Sequence, residues 1–148
     1  MPEEEIIEHT FLVLKAGIKN RNYRILDLDV VNYFVSKMED NMLPVYLDTD
    51  VENYPFPDSY PFLDGLANKE IGLTLKKLVD EEGRLFITVG FLNTEKFKNE
   101  NLEEYSLIPT IFSAVRNQVY ENVELLCFAI CKKEDSPYYS EDGKTLIV

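Results

Sequence analysis

Histidine occurs once in these 148 residues and cysteine twice, and both scarcities exclude chemistry. Cys127 and Cys131 sit four positions apart in a strand-like run. They face the same way, about 13 Å from each other, too far to bridge. No further Cys or His stands near them, so no zinc set forms, and they read as small hydrophobes in a buried strand. No apolar run approaches the roughly 18 residues of a membrane-crossing helix. The longest, "LLCFAIC", is strand length. The opening "MPEEEIIEH" has neither the basic start nor the apolar core of a secretory signal. These absences predict a cytoplasmic protein with no membrane partner.

Basic residues are also scarce. Fifteen Lys and Arg face 27 Asp and Glu, a net charge of −12, and no basic cluster exceeds Lys132–Lys133. Such a chain repels phosphate backbones, so no nucleic-acid partner is expected. The acidic triplet Asp48, Asp50 and Glu52 spaces its oxygens as a calcium loop does. However, Asn53 stands where that loop requires glycine, and the stretch reads as a solvated turn. Neither a metal nor another cofactor is expected.

What is present suits one domain over residues 1–148. The chain is 45% hydrophobic and 12% aromatic, and a chain this long buries roughly 68–70% of its unfolded surface. "IIEHTFLVLKA" (6–16) reads as a first strand, followed by the polar loop "GIKNRNYRI". Val30, Phe34 and Met38, with Val31 and Val35 beside them, predict an amphipathic helix over 29–40, capped by Asp27 or Asp29 and ending near Asn41. A short strand, "LPVYL", leads into a long loop rich in proline and aromatics over 48–70. A hairpin over 71–91 turns at "DEEG", where Gly83 takes the left-handed conformation. "NTEKFKNENLEEY" reads as a partly helical excursion. Two more strands follow, "SLIPTIFSAV" and "NVELLCFAICK", the second buried on both faces. A tail over 134–148 ends in "TLIV", a strand-capable segment.

The order of these pieces resembles the prohead proteases of tailed bacteriophages, serine proteases that trim scaffold inside an immature capsid. Asn20, Arg21, Asn22, Arg24 and Ile25 are similar to that family's loop before the helix, with Tyr23 where glycine is usual. Pro44, Val45, Leu47 and Asp50 match the strand after it, Ile71 and Gly72 the start of the hairpin, and Ser113 falls near the serine position. The resemblance implies a prohead-protease-like α+β fold, rich in β, with a barrel-like antiparallel sheet and one main helix.

It also implies a histidine base, and Thr49 stands in its place. Threonine cannot take a proton from a serine at neutral pH, and exposed carboxylates such as Asp48 and Asp50 are poor bases. His9 lies on the first strand, outside the motif, and reads as a half-exposed strand residue. Thr49 and Ser113 are then vestigial catalytic positions. The expected function is a non-enzymatic structural or auxiliary component of the phage capsid, assembled in the host cytoplasm and carried in the virion. The alternative is an active serine protease that processes capsid or scaffold proteins. Tyr54, Phe56, Tyr60 and Phe62, stiffened by Pro55, Pro57 and Pro61, form the expected contact for capsid proteins or further copies of the chain.

Overall fold

The computed structural model describes residues 7–40, 42–47, 70–91 and 101–148, and all but the side chains of 40, 112–115, 121 and 122 within them. Strand β1 (Ile7–Lys15) leads through a loop to helix α1 (Leu28–Asp40) and strand β2 (Pro44–Leu47). The hairpin of β3 (Gly72–Val79) and β4 (Arg84–Phe91) comes next, then the hairpin of β5 (Tyr105–Arg116) and β6 (Val119–Lys132). A 3₁₀ turn, Leu102–Glu104, precedes β5, and a second, Lys133–Asp135, follows β6.

Helix α1 starts where its cap allows. The Asp27 carboxylate accepts a hydrogen bond from the Val30 amide at 3.0 Å, satisfying one of the donors a helix start leaves open. Val31, Phe34 and Met38 are buried, with Val30 and Val35 packed partly against the same core. Lys37, in the last turn, donates to Glu124 Oε1 at 2.7 Å and to the Leu125 carbonyl at 2.5 Å, tying the helix to β6.

Each hairpin has a local cause. Asp80 accepts from the Glu82 and Arg84 amides, both at 2.9 Å, and Gly83 adopts φ 79°, as its sequence position predicts. The β5–β6 turn is made by Asn117 and Gln118 at φ 51° and 69°, the left-handed pair that two-residue hairpins use. At Gly72 a Cβ would meet the Gly90 carbonyl oxygen at 2.8 Å, so only glycine lets β3 begin this close to β4.

The six strands form one sheet in the order β1-β4-β3-β2-β6-β5. All pairings are antiparallel except β2 with β6, where Val45, Tyr46 and Leu47 run parallel to Phe128, Ala129 and Ile130. The sheet curls until its edges, β1 and β5, approach each other, giving a nearly closed barrel with α1 as its helix. Phe11, Phe34, Phe91 and Phe128 fill the interior with Leu85 and Ile87. The fold is therefore a β-rich α+β fold with a barrel-like sheet, as expected. Strand β6 is buried on both faces, also as expected. Phe128 and Ile130 face the core cluster, while Cys127, Ala129 and Cys131 are buried outside it.

The tail departs from expectation. "TLIV" does not extend the sheet. Leu146 makes one isolated bridge to Tyr139, the Ile147 amide donates to the Tyr138 carbonyl, and Leu146 packs on the core. The tail turns back on itself because Ser140 and Asp142 satisfy its backbone locally, through Thr145 and Lys144 amides. Among the described residues no helix is long and apolar enough to cross a membrane.

Candidate functional site

The loop between β1 and α1 is built around Asn20. Its buried side-chain oxygen accepts from the Asn22 and Arg24 amides at 2.9 and 3.0 Å, folding the chain into a tight turn. That turn places Tyr23, 65% exposed, at φ 60°. This left-handed geometry costs a tyrosine roughly 1–2 kcal/mol and a glycine almost nothing. Arg21 points the other way. Its guanidinium donates to the carbonyls of Glu134 and Ser136 at 2.7 and 2.8 Å, and its amide donates to Pro137 at 2.9 Å. The loop thus grips the start of the tail.

The gripped tail delivers Tyr138 and Tyr139. Tyr138 is buried against Asn20 and Tyr120, and burial raises its phenol far above the ordinary range. The Tyr139 hydroxyl donates to the Leu12 carbonyl at 2.5 Å, and Ser106 Oγ donates to the same oxygen at 3.1 Å. Leu12 lies at the β1 bulge, where the register slips between Leu12 and Leu14. Two side-chain hydroxyls thus satisfy a carbonyl at the seam of the barrel.

Register decides which serine lies near the end of β2. Leu47 is level with Ile130, whose partner on β5 is Leu107. Ser106, paired with Cys131, is one step beyond Leu107 in the direction that β2 is heading. Ser113, by contrast, is six residues from Leu107 at the other end of β5, about 20 Å along the strand. Its backbone pairs in the segment opposite Glu121–Glu124, so β2's end and Ser113 are not brought together. Sequence reading passed over Ser106 because both serines sit in the same strand-like run. Only the parallel β2–β6 pairing distinguishes them.

Ser106 is fully buried, and its proton is committed to a backbone carbonyl, which cannot act as a base. His9 is a partly exposed residue of β1. Its ring meets Phe11 edge-on at 4.6 Å, and its Nε2 lies 4.0 Å from Glu103 Oε1.

The rest of this face is apolar and unreactive. Tyr46, opposite Ala129, has its phenol pushed up to about 12 by burial, with the Cys127 thiol and the Glu70 carboxylate adding to the rise. Burial pushes the Cys127 thiol up to about 11, partly offset by a hydrogen bond from Thr110. A thiol held protonated in this way is a poor nucleophile and a poor metal ligand. Among the described residues no three His, Cys, Asp or Glu side chains gather to hold a metal ion.

Thr49, Asp48, Asp50, Glu52 and the aromatic residues Tyr54, Phe56, Tyr60 and Phe62 lie outside the described residues, as does the Ser113 side chain. Compared with known protein families, curated proteins and solved structures, the chain matches none.

Proposed function

We propose that the protein is a non-enzymatic structural or auxiliary component of a bacteriophage head, built on a prohead-protease-like framework and binding other capsid proteins. The observation that carries the non-enzymatic half is the Ser106 hydroxyl. It is buried at the level of β2's end and hydrogen-bonded to the Leu12 carbonyl rather than to a base. The chain's only histidine is set against Phe11 and Glu103 on β1, and threonine occupies the position where the resemblance puts a base.

Two local features support the framework half. Tyr23 adopts the left-handed conformation at the position where the resembled family carries glycine. Gly72, the glycine of the Ile-Gly pair, stands where a side chain would strike Gly90. Each gives a physical reason for glycine at that position of the resembled pattern. A framework of this kind, left without its base, retains value as a rigid subunit.

The test of the non-enzymatic half is incubation of the purified protein with a fluorophosphonate serine probe and with denatured capsid scaffold. The expected result is no labelling and no cleavage. Labelling at Ser106 or Ser113 that is lost in the corresponding Ala variant would establish a working protease and overturn the proposal.

A further inference from the structure

The outer face of β1, β4 and β3 carries an apolar row that the core does not use. Leu12 on β1 pairs with Phe86 on β4, which pairs with Leu78 on β3. Leu78, near the turn end of β3 and beyond the reach of β2, is 60% exposed. The next row is Thr10, Thr88 and Lys76, and the two threonine hydroxyls bond each other at 2.7 Å. Between these rows lies a groove of about 380 Å³, lined by Thr10, Lys76, Lys77, Leu78, Phe86 and Thr88. That volume lies within the range of sites that hold a side chain or small ligand.

The charge of the groove is the informative part. On a chain of net charge −12, its lining holds two lysines and no carboxylate. Among the described residues, acids on the flanking strand positions are otherwise placed. Asp80 and Glu82 are paired with Arg84, at 2.6 and 3.5 Å, and Glu8 stands one row further along β1, opposite Gly90. Lys77 leans toward the Met38 carbonyl at 3.4 Å, leaving Lys76 as the exposed ammonium beside the apolar floor. An apolar floor bordered by an exposed ammonium with no ion pair among the described residues selects a partner that combines an apolar anchor with a carboxylate.

We infer that this groove is a docking site for a partner-protein segment in which acidic residues alternate with leucine or phenylalanine. The apolar side chain seats on Phe86 and Leu78, and a neighbouring carboxylate pairs with Lys76. The inference rests on the reading of the protein as a binding subunit and adds a second contact surface to the one expected at Tyr54, Phe56, Tyr60 and Phe62.

Two blocked peptides test it: Glu-Leu-Glu-Phe-Glu-Leu and its lysine counterpart, Lys-Leu-Lys-Phe-Lys-Leu. Each is titrated against the isotope-labelled full chain while the NMR signals of Leu78 and Thr88 are followed. The acidic peptide is expected to shift these signals saturably and the basic one to leave them in place. Lys76→Glu and Leu78→Ser, both at exposed positions that leave the core intact, are each expected to weaken binding about tenfold or more. Unmoved signals, equal response to the two peptides, or undiminished binding by both variants would overturn the inference. Self-association that Leu78→Ser abolishes would assign the face to a second copy and overturn it too. Failure here, with the chain present in many copies in phage particles, would remove this site alone. Binding here, with the chain absent from particles, would remove the head assignment alone.

Discussion

Tyr23 is held in a strained turn, and Tyr139, a buried core residue, donates its hydroxyl proton to Leu12 across the barrel seam. A single substitution removes the strain or the hydrogen bond. Tyr23 is mostly exposed and at φ 60°, so Tyr23→Gly removes backbone strain and little packing. It is expected to leave stability unchanged or raise it by up to about 1 kcal/mol, whereas Tyr23→Val should lower it by about 1 kcal/mol or more. Urea denaturation of the two variants measures both, and a glycine variant clearly less stable than the parent would refute the account of this turn. Tyr139→Phe removes one hydrogen bond to Leu12, while Ser106 still serves that carbonyl. Its expected cost is about 1 kcal/mol. Arg21→Ala removes two charge-assisted bonds to backbone carbonyls and should cost more, about 3 kcal/mol. Faster hydrogen exchange at Tyr139 and Ile147 is expected in the Arg21 variant, because the loop holds the tail.

At the scale of elements, the strongest test is Phe34→Ala in α1. Phe34 is fully buried, and its truncation is expected to cost about 3–5 kcal/mol. Helix α1 and the β3–β4 hairpin were legible because their signals are local: Asp27 before an apolar stripe, and Asp80 with Gly83 between two alternating runs. The burial of β6 on both faces was legible from its unbroken apolar run. The parallel pairing of β2 with β6 was not, because four residues of strand carry no mark of a partner more than 80 positions away. That pairing sets the backbone of Ser106, rather than that of Ser113, near the level of β2's end. The tail misled for another reason. Its "TLIV" ending has strand propensity, but the Ser140–Asp142 turn and the grip of Arg21 decide its course.

At the scale of the whole molecule, five weak acids among the described residues have raised values through burial, and alkali should reveal them. Burial raises the folded-state values of Tyr46, Tyr120, Tyr138, Tyr139 and Cys127. Cys127 rises from 9.0 to about 11 and Tyr46 from 10.0 to about 12. Above the lower value of each pair the unfolded chain releases a proton that the folded chain still holds. Stability therefore falls as pH rises, and is lost progressively from about pH 9 upward. Urea midpoints should be level from pH 7 to 9 and drop steeply by pH 11. On the acid side, Asp80, Glu124 and Asp142 are held below the usual carboxylate range by hydrogen bonds to Arg84, Lys37 and Ser140. Their contribution is present above that range and lost as pH falls through it, but exposure keeps it small.

We propose that this barrel serves as a subunit rather than a catalyst. The most direct measurement is the copy number of the chain relative to the major capsid protein in purified mature particles, by quantitative mass spectrometry. The account predicts many copies per mature particle. Absence from mature particles, with presence only in immature ones, would fit a maturation enzyme and contradict it.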